Sequence, residues 1–97
     1  VEEAPGGEFE IHADLVIEAL GFEPEDMIAM TGETDLALTD WGTLRTARRS
    51  LATTLEGVFA AGDIVRGASL VVWAVRQGQD AAAEIDAWLQ SRKAVAA

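Results

Sequence analysis

TTLEGVFAAGDIVRGASLVVWAVRQGQDAAAEIDAWLQ, Thr53 to Gln90, carries the strongest structural signals in this chain of 97 residues. Its opening holds a short apolar run, Val58 to Ala61, with Gly57 before it and Gly62-Asp63 after it, which reads as a brief buried strand. A loop, Ile64 to Ala68, leads to Ser69, a good N-cap residue. From Leu70 to about Gln90 the apolar positions are Val71, Ala74, Val75, Gly78, Ala81, Ala82, Ile85, Trp88 and Leu89. They recur at i, i+3, i+4 and i+7, the pattern of an amphipathic helix. Gly78 lies on that stripe. Glycine costs about 1 kcal/mol inside a helix, so its presence predicts a close backbone contact. Arg92 and Lys93 stand where they complement the negative end of the helix dipole.

The junction between strand and helix is the candidate site. At Gly62 the absent side chain lets a ligand approach the backbone. Asp63 then projects from the carboxyl end of a strand, where open α/β sheets bind ligands, and its carboxylate can accept hydrogen bonds from sugar-like hydroxyls. The helix start offers unpaired N–H groups at Leu70, Val71 and Val72 with a partial positive charge, suited to an electron-rich oxygen. The candidate cofactor-binding residues are therefore Gly62, Asp63, Leu70, Val71 and Val72. The bland alternatives are a turn aspartate and an ordinary helix start. No catalytic or metal-binding residue is assigned. Arg66 either touches a ligand or another domain or is a solvated loop residue. Arg45, Arg48 and Arg49 form a small basic cluster, read as a solvated connector rather than a phosphate contact. Trp73 and Trp88 are read as core or interface packing.

Toward the N-terminus, Phe9, Ile11 and Ala13 alternate with Glu8, Glu10 and His12, the period of a half-buried strand, with His12 pointing outward. Asp14 to Leu20 reads as a more buried strand, ended by Gly21. Pro24 keeps Glu23 from helical geometry, and a helical turn around Asp26 to Met30 is compatible with the pattern. Leu36 and Leu38, the turn Asp40-Trp41-Gly42, and Leu44 suggest a small β-hairpin.

Composition narrows the function classes. The chain is 49% hydrophobic, too apolar for disorder. No apolar run approaches the roughly 20 residues of a membrane span, and no signal peptide is visible. With no cysteine there is no thiol nucleophile, disulfide or iron–sulfur ligation within the chain. The net charge of −10 is asymmetric: Val1 to Leu44 carries −12, and the remainder +2. Such an acidic face repels nucleic acid and anionic membranes, so neither is a partner. A cytoplasmic location is the expectation.

The block Thr53, Gly57, Val58, Phe59, Ala60, Gly62 and Asp63 resembles the second FAD motif of pyridine-nucleotide flavoprotein oxidoreductases. GDIVRGASLVVWAVRQGQDAA, Gly62 to Ala82, closely resembles the small (β) subunit of the glutamate synthase family, and ADLVIEALGFEP, Ala13 to Pro24, resembles the strand that returns from the NADPH domain to the FAD domain. The resemblance implies that Asp63 binds the ribityl chain of FAD and that N–H groups at Val71 and Val72 face the flavin ring. It implies an α/β fold: one domain, residues 1–97, forming the C-terminal part of an FAD/NAD(P)-binding three-layer domain. Residues 8–24 or so would be the returning strand and about 53–90 the FAD motif with its helix, with short strands and a β-hairpin before one long C-terminal helix. The implied function is the FAD-binding portion of an NADPH-dependent oxidoreductase that passes electrons from NADPH through FAD to iron–sulfur clusters. Its partners would be the remainder of the FAD and NADPH domains and a large catalytic subunit. No G-x-G-x-x-G is present, so the phosphate-binding turns, NADPH and the iron–sulfur clusters would belong to other parts of a longer parent. The alternatives are an isolated piece that is inert or self-associating, forming a homodimer without binding FAD, or a parent that is a related electron-bifurcating transhydrogenase or pyrimidine-reducing enzyme.

Overall fold

The computed structural model describes residues 4–96. Three helices follow in order: α1, Met27–Thr31; α2, Asp63–Arg66; and α3, Val71–Ala96. In α1, the Asp26 carboxylate accepts the Ala29 N–H at 3.0 Å, the bond of a side-chain N-cap. Gly32 closes the helix in the left-handed conformation, its N–H donating to the Ile28 carbonyl at 2.8 Å. The short α2 occupies part of the segment read as a loop, and its acidic first residue, Asp63, suits the positive end of the helix. The long helix begins at Val71, and the Leu70 carbonyl accepts from Trp73 and Ala74 at 3.0 and 3.4 Å. Leu70, not Ser69, thus holds the position whose carbonyl opens the helix. At the other end α3 runs six residues past the expected Gln90.

The three-layer α/β expectation is not met, and the chain is almost entirely helix and irregular structure. Among the described residues there is no β-sheet, only two isolated antiparallel bridges, Leu38 with Leu44 and Ala52 with Phe59. The expected β-hairpin stops at one bridge: Thr39 N–H donates to the Thr43 carbonyl and Arg45 N–H to the Ala37 carbonyl, each at 2.8 Å. Val58 to Ala61 likewise meets residues 51–53 through a few bonds and extends no ladder. Residues 8–25 form neither of the two expected strands and remain exposed apart from the half-buried Pro24. The reason is pairing. A strand needs a neighbour for its N–H and C=O groups, and bringing distant segments together costs entropy that only a buried face repays. Here Glu8, Glu10, Asp14, Glu18, Glu23 and Glu25 stud the segment, and the acidic first half of the chain repels itself.

The core is correspondingly small. Leu36, Leu44 and Ala60 are buried together, and Met27, Leu38, Leu55, Ile64 and Val65 pack around them. Buried Thr43 is satisfied by a 2.7 Å hydroxyl–hydroxyl bond with Thr39. The Thr54 hydroxyl ties residues 35–37 to this lobe, donating to the Asp35 carbonyl at 2.7 Å and accepting the Ala37 N–H at 2.9 Å. Measuring 71 × 29 × 24 Å with a radius of gyration of 19.4 Å, the chain is drawn out. A compact domain of about 100 residues has a radius of about 13 Å.

Candidate functional site

Helix α3 is held against the lobe by its face bearing Ala74, Gln77, Ala81, Glu84 and Trp88, spaced three and four apart. The Gln77 side-chain oxygen accepts the Gly62 N–H at 2.7 Å. Two turns on, the Glu84 carboxylate accepts the Leu51 N–H at 2.9 and 3.2 Å and the Ser50 hydroxyl at 2.6 Å. Trp88 meets Phe59 edge to face, centroids 6.3 Å apart, and Arg92 lies 4.5 Å over the Trp88 ring while pairing with Glu56. These polar anchors were not foreseen. Gln77 and Glu84, being polar, do not enter a count of apolar positions, although both lie on the same stripe as Ala74, Ala81 and Trp88.

The five candidate residues surround the junction of α2 and α3. Gly62 is half-buried with φ +81°, a conformation that favours glycine, and a Cβ there would meet Ala74 at 3.7 Å. Asp63 is exposed at the start of α2. Leu70, Val71 and Val72 are exposed at the start of α3. A cleft of about 260 Å³ takes in Asp63, Ile64, Ala68 and residues 22–25. A wider one of about 900 Å³ lies beside Arg66–Ala68, Trp41 and residues 22–24. Neither cleft includes Leu70, Val71 or Val72. Arg66 stacks 4.2 Å over the Trp73 ring, an exposed cation–π contact that links α2 to the start of α3. Arg45, Arg48 and Arg49 are exposed, as is His12.

This arrangement overturns the reading of the chain as the FAD-binding portion of an electron-transfer enzyme. A dinucleotide-binding fold places its ligand at the carboxyl edge of a parallel sheet. The elongated architecture has no such edge among its described residues, and the five residues by themselves do not fit an FAD, whose pyrophosphate and adenosine need surfaces that these residues do not form. Among the described residues no group of three or more His, Asp or Glu is placed to hold a metal. No described helix is long and apolar enough to cross a membrane.

Apolar surface is what the structure leaves uncovered. Leu20 and Phe22 are 93% and 90% exposed, and Phe9, Ile11, Leu15, Val16 and Ile17 are little less so. Along α3, Val71, Val75, Ile85 and Leu89 also face outward. The expected stripe is therefore split: Ala74, Ala81 and Trp88 turn to the lobe, and the rest turn to solvent. Gly78 makes no close contact, since nothing lies within 4 Å of where its Cβ would be.

A family model described as pyridine nucleotide-disulphide oxidoreductase matches residues 2–78. The chain is 58% identical to the glutamate synthase [NADPH] small chain of Azospirillum brasilense, over 90% of this chain and 18% of that protein. It is 40% identical to the glutamate synthase [NADPH] small chain of Mycobacterium tuberculosis, over 95% of this chain and 19% of that protein. With the NADP(+)-dependent formate dehydrogenase subunit beta of Moorella thermoacetica the identity is 42%, over 89% of this chain and 12% of that protein. The chain thus spans about a fifth of the length of the glutamate synthase relatives it matches.

Proposed function

Because the chain belongs to the pyridine nucleotide-disulphide oxidoreductase family yet forms no sheet among its described residues, we propose that it is an association module of an oxidoreductase lineage with no redox chemistry of its own. The observation that carries this reading is the uncovered apolar surface along α3 and residues 9–22. Clustered exposed apolar side chains mark contact surfaces, and they are stabilised when another surface covers them. In the longer parent protein, the covering partners are the remaining dinucleotide-binding parts and a larger catalytic subunit. Similarity to the glutamate synthase [NADPH] small chain supports a parent that is an NADPH-dependent flavoprotein of the cytoplasm, with FAD, NADPH and iron–sulfur clusters held by its other parts. Gly62, Asp63, Leu70, Val71 and Val72 would approach the parent's cofactor only after those parts complete the site. The flavin content of the full-length parent carrying Asp63→Ala tests that assignment, and unchanged content would refute it.

For the chain itself, two measurements on one sample test the reading. Titration with FAD, followed by tryptophan emission, should show no saturable binding. Light scattering across a concentration series should show the mean mass rising. Saturable FAD binding, or a constant monomer mass at the highest concentration, would refute the module.

A further inference from the structure

Helix α2 is four residues long and stands between two glycines, Gly62 with φ +81° and Gly67 with φ +84°. With no Cβ, both turn easily, so the local backbone does not fix the direction of α2. The lobe holds its middle: the Ile64 carbonyl accepts the Leu44 N–H at 2.7 Å, and Ile64 and Val65 pack on the core. A short unit held at its middle between two hinges is still free to swing about that point. Its two ends are held by α3. The Gln77 side-chain oxygen accepts the Gly62 N–H at 2.7 Å, and the Arg66 guanidinium lies 4.2 Å over the Trp73 ring. Trp73 and Gln77 are four residues apart, about one turn, and so share a face of α3. Gly62 and Arg66 are also four apart, and α2 therefore meets α3 in antiparallel register, 62 to 77 and 66 to 73.

We infer that Gln77 is a positioning residue: with Trp73 it clamps α2 at both ends, so that Asp63 keeps one direction relative to the start of α3. The inference rests on the reading that this junction approaches the parent's cofactor, and it names what presets the junction. Asp63 is exposed, so its direction is that of the backbone carrying it. The Gln77 bond fixes the peptide that enters Gly62, and the Gly62 carbonyl fixes the next one by accepting from Val65 and Arg66 at 3.1 and 3.0 Å. Ala74, between the two grips, would stand 3.7 Å from a Cβ at Gly62 and limits how far that peptide can turn.

Every contact in the clamp is made within this chain. Without Gln77, the half-buried Gly62 N–H has no partner and must turn toward water to find one, taking Asp63 with it. Part of the binding free energy of any group that Asp63 holds then goes into restoring the direction. Glu84 offers a matched comparison. It too ties α3 to the lobe, but through Ser50 and Leu51, away from α2. Positioning and plain tethering therefore separate between these two side chains.

The test uses the full-length parent protein, stripped of flavin and titrated with FAD, with flavin emission giving the dissociation constant. Gln77→Leu should raise that constant about tenfold, the worth of one hydrogen bond whose donor is left unpaired. Gln77→Glu keeps an acceptor oxygen and should stay within about twofold of the unsubstituted parent. Trp73→Leu loosens the other grip and should raise the constant about threefold. Because Trp73 is 44% exposed, that variant decides the same point if Gln77→Leu does not fold. Glu84→Ala should leave the constant unchanged although it lowers stability. An unchanged constant for Gln77→Leu, with a raised one for Asp63→Ala, would overturn the clamp and leave the cofactor reading standing. Unchanged constants for both would overturn the two together. A rise for Glu84→Ala as large as that for Gln77→Leu would make Gln77 a plain tether and overturn the inference as well.

Discussion

Replacing Glu84 by Ala removes the side chain that fixes the middle of α3 to the lobe. The carboxylate accepts the Leu51 N–H and the Ser50 hydroxyl, and hydrogen bonds to a charged group contribute about 1.5–3 kcal/mol each. Ser50 is only half-buried and can turn to water, so its bond counts at or below the low end. Leu51 is buried at 9% exposure, and its N–H would lose its partner. Alanine returns a few tenths of a kcal/mol in helix propensity. The net loss is about 2–3 kcal/mol, a large part of the roughly 5–15 kcal/mol that holds an ordinary domain together. In urea, tryptophan emission should report a lower midpoint with an unchanged slope, because Trp88 sits one turn away. Glu84→Gln keeps one acceptor and should lose less than half as much. A Glu84→Ala midpoint within about 0.5 kcal/mol of the parent chain would mean that the carboxylate is merely solvated, and the anchoring role would be wrong.

Gly57→Ala should destabilise the lobe by about 2 kcal/mol in the same assay. Its φ is +78°, which an L side chain enters at a penalty of about 1–2 kcal/mol, and the new Cβ would stand 3.0 Å from Trp88 Cη2; an unchanged midpoint would refute the contact. Gly78→Ala should have the opposite sign, raising stability by about 1 kcal/mol, because the site is open and alanine is the better helix former. A lower melting temperature for that variant would restore the close intrachain contact that the sequence suggested.

The long helix was legible because its signal is local: propensity and a 3.6-residue period act within one segment. Its register on the lobe was not, because Gln77 and Glu84 bury their heads through bonds to Gly62 and Leu51, residues 15 and 33 positions away. Expected strands failed for the opposite reason. Alternation at Phe9, Ile11 and Ala13 states which face would be buried, but a strand exists only when a neighbour pairs with it, and none does among the described residues. Asp40-Trp41-Gly42 was read correctly as a turn, since Gly42 donates to the Thr39 carbonyl at 3.0 Å, yet the turn joins one bridge and not a ladder. The five residues around Gly62 and Asp63 are candidates read from the strand–helix junction and from motif resemblance. Their neighbourhood in the fold, open to solvent and beside the Arg66–Trp73 stack, is a matter of tertiary placement that no spacing encodes.

Residue-resolved amide hydrogen exchange on a dilute sample tests the sheet-free architecture most directly. Amides of residues 8–25 should exchange at close to unprotected rates, while those of α3 between Ala74 and Trp88 exchange slowly, closed by helix bonds and by packing on the lobe. Alternating protected amides from Phe9 to Leu20 would show those residues paired as a strand, and would contradict the absence of a sheet from which the association reading follows.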